Sequence, residues 1–380
     1  MRIALFDYRV IPTNPVGGCH LRMLAGLCDL HEFTVFAVEF QNPRPDRIRW
    51  VRIPLPVRPY VLLYVLYHLA APLAYAFQRW VRHARFDLVH MVESNLSFGD
   101  LSYSHFCHRM YLARHWRETN AGGVKGFVRG LAHRAAAFVE PLTYARVGHI
   151  VAPSNGLVAE LSQTYPATQK KIHILPNPVD VDLLSPPRAE KRDEYRRRYG
   201  CLAPDLALVF AALGHFERKG LPLAMEALRL VADPAVKLIV VGGQPAAIAE
   251  YRRRAREMGL AESLRFEGMQ CDLRPYYWAG DAFLLPSCYE VFPLVALEAS
   301  AAGLPLVATP VNGVVDLLRH GENGLQIERT AESIAQAIRQ FLAMSSEERR
   351  LMGARARNAV LRYGREHFVS AWRNLYDAVA

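Results

Sequence analysis

The chain reads as an α/β protein built from two doubly wound domains, and three observations lead there. The first is the stretch from Ala282 to Gly324. It runs from a short apolar segment, Ala282 to Pro286, through a turn and a helical segment beginning at Pro293, and into a second apolar run, Pro305 to Ala308. Apolar runs of that length suit strands buried on both faces of a parallel sheet. Pro293 fits the first helical position and Gly303 the residue just past the helix end. The second observation is a similar unit at the start, where the strand RIALFDY leads through Pro12 to Gly18 into a helix from Cys19 to Leu30. The third is size: 380 residues, 51% hydrophobic and 22% charged, are globular in composition and too many for one ordinary core.

Between these two units the sequence predicts further strands at Phe33–Glu39, Arg49–Leu55, Asp87–Met91, Leu101–Phe106, Ile150–Pro153 and Lys171–Asp180. Ser154 and Asn155 are placed to cap the helix after the fifth of these. A Pro-Pro step, a charged run and another proline mark residues 184–204 as a linker. The second domain then offers strands at Leu206–Leu213, Val236–Val241 and Leu264–Glu267. Helices follow at Leu221–Val231, Thr330–Met344, Glu347–Leu361 and His367–Val379. The expected division is 1–183 for the first domain, 205–363 for the second, and a terminal helix, 364–380, crossing back to the first.

In doubly wound sheets a ligand sits beyond the carboxyl ends of the strands, and a helix N-terminus there offers free N–H groups to phosphate. Glu290 and the start of the 293–303 helix occupy such a place. Glu290 and Glu298, taken alone, also suit a solvated helix face. Their surroundings carry more: Glu, seven residues, Glu, then Ala-x-Ala-x-Gly-Leu-Pro-x-Val-Ala-Thr and Asn-Gly. This ordered set resembles the nucleotide-sugar half of retaining glycosyltransferases of the GT-B architecture, in the large fourth family, and particularly enzymes of lipopolysaccharide core and other cell-surface glycans.

The resemblance implies two Rossmann-like domains facing across a cleft, with the acceptor on the first and a nucleotide diphosphate sugar on the second. It gives Glu298 the ribose hydroxyls and Glu290 the transferred sugar. Where the family commonly reads Glu-Gly-Phe-Gly, this chain has Glu290-Val291-Phe292-Pro293, so the phosphate contacts there fall to the amides of Leu294 and Val295. Arg218-Lys219-Gly220 matches the family's basic loop for the diphosphate, with His215 where many members have arginine. Gly17 and Gly18 match a Gly-Gly that lets backbone approach donor and acceptor. Gly243, Gly268 and Met269 fall where the nucleobase meets backbone, and His105 where a histidine approaches the reacting sugar. Arg218, Lys219, Glu290 and His105 are the expected catalytic set.

Neither a metal nor another cofactor is expected. His105 and His108 lack a completing ligand set, and Asp180-Val181-Asp182, although it spells a metal-binding D-x-D, follows a domain-ending strand. Six scattered cysteines without C-x-x-C spacing fit a reduced, cytoplasmic setting, and the N-terminus shows no signal-peptide pattern. The net charge of +10 is concentrated in the first half. With no nucleic-acid motif, anionic membrane or phosphorylated substrates are the preferred partners. Pro59–Phe77 is the most apolar stretch, flanked by Arg58, Arg79, Arg82 and Arg85. It suits a buried helix, one lying in a membrane interface or, least well because His68 and Pro72 interrupt it, a transmembrane span, and its aromatic content favours the interface. The helical segment Lys125–Val147, with Lys125, Arg129, Arg134 and Arg146 interleaved, extends the same basic platform, which suits a lipid-linked acceptor or a glycan. A nucleotide-sugar epimerase of the same architecture and a non-catalytic sugar- or membrane-binding module are the competing readings.

Overall fold

A computed structural model describes residues 1–119 and 122–379; the side chain of Lys125 lies outside the described set, as does Ala380. The chain divides into two units, one of residues 1–178 with 365–380 and the other of residues 179–364.

The strands of the first unit, in chain order, are β1 Arg2–Phe6, β2 Arg9–Val10, β3 Glu32–Ala37, β4 Glu39–Phe40, β5 Ile48–Arg52, β6 Leu88–Val92, β7 Leu101–Tyr103, β8 His149–Ala152 and β9 Ile172–Ile174. Seven form one parallel sheet in the order β5-β3-β1-β6-β7-β8-β9, and β2 pairs with β4 beside it. The chain winds outward from β1 in one direction and then from β6 in the other, so the winding reverses between β1 and β6. The terminal helix Arg365–Val379 belongs to this unit. Its Phe368, Trp372, Leu375 and Tyr376 join Ile3, Leu5, Met23 and Leu24 in one buried cluster.

The second unit contributes β10 Leu206–Ala212, β11 Val236–Gly242, β12 Leu264–Gly268, β13 Ala282–Leu285, β14 Leu306–Ala308 and β15 Gly324–Gln326. They form a second parallel sheet, β12-β11-β10-β13-β14-β15, whose winding reverses between β10 and β13. Strand β10 explains why the apolar runs lack alternation. Leu206, Leu208 and Phe210 enter the core on one face, while Ala207, Val209 and Ala211 enter the core on the other. A strand covered on both faces has no reason to alternate.

Residues 184–204 are not a linker. The units part at Pro178, and Ala189–Arg198 is a helix of the second unit. It carries almost no apolar periodicity and is held by charge. Arg192 and Arg196 donate to Asp281 at 2.7 and 2.8 Å, Arg196 also donates to the Asp205 carbonyl at 2.6 Å, and Asp281 accepts the Ala207 amide at 2.8 Å. Arg196 and Asp281 are nearly buried. The D-x-D also has a local use, since Asp180 accepts the Leu183 amide at 3.0 Å.

The stretch around 59–77 is a helix, Tyr60–Ala76, with two different faces. Leu63, Tyr64, Tyr67 and Ala71 pack inward, where the Tyr67 hydroxyl donates to the Phe36 carbonyl at 2.7 Å. Leu62, Val65, Leu69 and Leu73 lie outward and are followed by Phe77 and Trp80, with Leu73 and Trp80 71% and 72% exposed. The helix Gly123–Arg146 also exposes an apolar side, with Phe127, Leu131 and Phe138 open to solvent.

Removing one partner of a buried ion pair leaves the other charge unsolvated. Asp281→Ala should therefore destabilise the second unit by about 3 kcal/mol in urea unfolding, and Arg192→Ala, at a more exposed pair, by about 1 kcal/mol or less. Equal losses at the two positions would contradict this account of how 189–198 is held.

Candidate active site

The reversal between β10 and β13 is the place where two loops meet. After β10 the chain makes one helical turn, Phe216–Lys219, closed by Gly220 in the left-handed region at φ +81°. A Cβ on Gly220 would collide with the Pro286 carbonyl oxygen after β13, so glycine lets the two loops touch. The contact is made polar by Lys219, whose ammonium lies 2.5 Å from Glu290 Oε1, with the Ser287 hydroxyl donating to the same oxygen at 2.6 Å. Thr309, after β14, fixes Ser287 in turn by donating to its carbonyl at 2.6 Å. Arg218 donates to the Tyr289 carbonyl at 2.9 Å.

Glu290 lies in the segment that follows β13. It is buried, with only 9% of its side chain exposed. Burial alone would raise its carboxyl, but Lys219 and Arg218 together outweigh that and hold it below the ordinary value. Burial pulls the Lys219 ammonium below its ordinary value, Arg218 adds to the effect, and Glu290 opposes it. Both hydrogen bonds to Glu290 fall on Oε1, which leaves Oε2 able to accept from a bound molecule.

Pro293 is the N-cap of the helix Leu294–Ala301 and not its first residue. The amides of Ala296 and Leu297 turn to the Pro293 carbonyl. Those of Leu294 and Val295 donate to no group among the described residues, the condition in which a helix start attracts an anion. Glu298 lies one turn further, and the Tyr277 hydroxyl donates to its Oε2 at 3.0 Å. Gly243 follows β11 and is packed on the Phe216 ring, Gly268 ends β12, and Met269 beyond it is half-exposed. Arg218, Lys219, Glu290, Leu294, Val295, Glu298, Gly243, Gly268 and Met269 thus all lie at the carboxyl ends of the second sheet's strands or in the segments that follow them.

The first unit departs further from expectation. Gly17 and Gly18 lie in the first turn of the helix Pro15–Leu27 and not in a loop before it. Asn14 caps that helix, accepting the Val16 and Gly17 amides, while the Gly18 amide donates to the Asn14 carbonyl. Gly17 is required for packing, because a Cβ there would collide with the Arg9 carbonyl oxygen. His105 follows β7; its Nε2 lies 3.1 Å from Asn177 Oδ1, and burial pulls it down to about 4. His108 begins the helix His108–Arg114, whose first two amides are both taken by the buried Glu140 carboxylate at 2.6 and 3.1 Å.

Sequence reasoning passed over Glu93. It follows β6 in a tight turn closed by the Asn95 amide on the Val92 carbonyl, and holds φ at +49°, a left-handed value that favours glycine. Its carboxylate lies 3.4 Å from His108 Nε2, and His108 Nδ1 lies 2.9 Å from His133 Nδ1. Burial would lower His108, but Glu93 outweighs it and holds the imidazole above its ordinary value. A non-glycine residue ending a central strand in a turn was the available signal.

Two family descriptions fit the chain, glycosyltransferase family 4 over residues 20–183 and glycosyl transferases group 1 over residues 205–344. The chain belongs to the GT-B glycosyltransferases. The D-inositol 3-phosphate glycosyltransferase of Geodermatophilus obscurus is 31% identical over 259 residues, 65% of this chain and 56% of that protein. The lipopolysaccharide core biosynthesis glycosyltransferase LpsE of Rhizobium meliloti is 34% identical over 174 residues, 45% of this chain and 50% of that one. The chain thus spans about half the length of these curated relatives. Among solved structures, HepE of Anabaena in complex with UDP and glucose shares the fold across 99% of both chains, with a TM-score of 0.75 at 17% identity.

In this GT-B chain the Lys219–Glu290 pair has a pH signature. A carboxyl held below its unfolded value stabilises the fold above that unfolded value, and the contribution is lost as pH falls through the folded one. Lys219→Met removes the nearest cation, so it should lower the melting temperature at pH 7. The gap to the unaltered protein should narrow steadily below about pH 4. A gap that stays constant from pH 7 to pH 3 would show that the pair contributes nothing to the fold.

Proposed function

We propose that the protein is a retaining glycosyltransferase of cell-surface polysaccharide or lipopolysaccharide synthesis, moving a sugar from a nucleotide diphosphate sugar to a glycan or lipid-linked acceptor. The observation that carries this reading is the pair of amides at Leu294 and Val295, unpartnered among the described residues, within a unit that also presents Arg218 and Lys219 beyond its strands. Donor diphosphate would meet a helix start and two cations there. Glu298 would take the ribose hydroxyls, Glu290 Oε2 a hydroxyl of the transferred sugar, and backbone near Gly243, Gly268 and Met269 the base. That HepE binds UDP and UDP-glucose supports a nucleotide-sugar donor.

Retention implies attack from the face the diphosphate leaves. The acceptor oxygen bonds to the anomeric carbon as the carbon–oxygen bond to the diphosphate breaks, and the acceptor proton passes to a diphosphate oxygen. Such a step needs no enzymic nucleophile and no metal. Arg218, Lys219 and the Leu294 helix start would act by stabilising the charge that grows on the leaving group.

The acceptor side would lie against the inner face of an anionic membrane. Tyr60–Val81 is long and apolar enough to cross a bilayer by length and composition alone, but the bond from Tyr67 ties its inner face to the sheet. The outward leucines, Trp80 and the exposed Arg79, Arg82 and Arg85 suit an interface. Arg129 lies over the Trp116 ring, 5.1 Å from its centroid, and donates to the Thr119 carbonyl, so it is left out of that rim.

Charged hydrogen bonds contribute roughly 1.5–3 kcal/mol, so Glu298→Gln should weaken nucleoside diphosphate binding about tenfold or more in calorimetry. Unchanged affinity would remove Glu298 from the site, and turnover without an acceptor would favour an epimerase. On the first unit, changing Arg79, Arg82 and Arg85 to Glu should abolish salt-sensitive co-sedimentation with anionic vesicles, at about 1 kcal/mol per charge. Indifference of the unaltered protein to such vesicles at low salt would point to a soluble acceptor.

A further inference from the structure

The helix Arg274–Ala279 follows β12 and the segment of Gly268 and Met269, and it carries Tyr277, which is wholly buried. The Tyr277 ring packs edge-on against Phe283 of β13, with centroids 5.9 Å apart. Phenylalanine would serve that packing as well, whereas a buried hydroxyl must find a partner. The partner is Glu298, whose Oε2 accepts from Tyr277 at 3.0 Å. The two residues are 21 positions apart, and Glu298 itself is only half-buried. Burial raises Tyr277 well above its ordinary value, and the charge of Glu298 adds to the effect, so the hydroxyl keeps its proton and donates. The helix that carries Tyr277 is held at its far end by the charged helix Ala189–Arg198. Arg196 donates to the Ala279 carbonyl at 3.1 Å and Arg192 to the Gly280 carbonyl at 3.0 Å.

We infer that Tyr277 is a positioning residue for ribose recognition: its hydroxyl fixes the plane of the Glu298 carboxylate from which the ribose hydroxyls of the donor nucleotide are bound. The inference rests on the glycosyltransferase reading, which gives Glu298 the ribose, and adds the residue that makes that contact selective. The last torsion of a glutamate is broad and shallow, so a carboxylate left to rotate loses that freedom when a ligand binds. Fixing it beforehand leaves more of the charged hydrogen bonding to the nucleotide. A neutral donor suits the task, because it orients the carboxylate without bringing a positive charge that would compete for it. The same constraint runs back to Asp281, the carboxylate that holds Arg192 and Arg196. The ion pairs of residues 189–198 thereby fix, through the helix Arg274–Ala279, the place from which Tyr277 donates.

Calorimetry on the full chain tests this, with UDP, GDP and ADP and then, for whichever binds, its 2′,3′-dideoxy form, which lacks both ribose hydroxyls. The unaltered protein should prefer the ribose form about tenfold or more. Tyr277→Phe keeps the ring against Phe283, so its melting temperature should fall by no more than about 4 °C. It should weaken the ribose form about fivefold and leave the dideoxy form within about twofold. Adding Tyr277→Phe to Glu298→Gln should change neither affinity further, because a residue that acts through another then has nothing to act on. A residue that only supports the fold would weaken both forms alike, or would add its loss to that of Glu298→Gln. Either result, or an undiminished preference in Tyr277→Phe, would overturn the proposal while leaving Glu298 at the ribose. A preference that survives Glu298→Gln, or none in the unaltered protein, would remove Glu298 from the ribose and this proposal with it. Binding of none of the three nucleotides would remove the glycosyltransferase reading, and the proposal would fall with it.

Discussion

The candidate site of the second unit is organised around a buried ion pair. Lys219 and Glu290 come from loops 71 residues apart in sequence and meet where the winding of the sheet reverses. Two charges withdrawn from water cost more than a simple contact returns unless their remaining valences are met. Here Ser287 shares the load on Glu290, Thr309 fixes Ser287, and Gly220 allows the loops to approach. A pair so supported holds a carboxylate and two cations at fixed positions.

The two sheets apply the same rule with different chemistry. Each is parallel and wound outward from a central strand, so each has one reversal. At the second, Arg218, Lys219 and an unpartnered helix start make an electropositive place. At the first, Glu93 and His108 make a polar one that carries a carboxylate. That contrast arises in the short segments after the strands.

Much of the fold was legible because buried parallel strands are written as unbroken apolar runs and helices are punctuated by proline, asparagine and glycine. Leu221–Val231 was placed to the residue, and β10 and β13 to within one. The Glu-x7-Glu spacing with its flanking small residues marked the second unit's site. What escaped depends on distant partners. The helix Ala189–Arg198 looked like a charged linker because Asp281, the residue that buries its arginines, lies more than 80 positions away. Gly17 and Gly18 were misplaced although Asn14-Pro15 is a helix-start signal, because glycine is a weak helix former and an adjacent pair reads as a turn. Glu93 was legible only as a residue near the end of a strand, because its left-handed φ is not written in the residue type. The two faces of Tyr60–Ala76 could not be separated by composition, since both are apolar and only the tertiary bonds of Tyr64 and Tyr67 say which is inside.

The claim on which the rest stands is that nucleoside diphosphate binds at the reversal of the second sheet. Hydrogen–deuterium exchange of the full chain with and without saturating UDP, GDP and ADP addresses it directly. At least one of the three should slow exchange of the amides at Leu294 and Val295 and across 214–220, the segments that carry the open helix start and the basic turn. Protection confined to the first unit, or none with any of the three, would contradict the account.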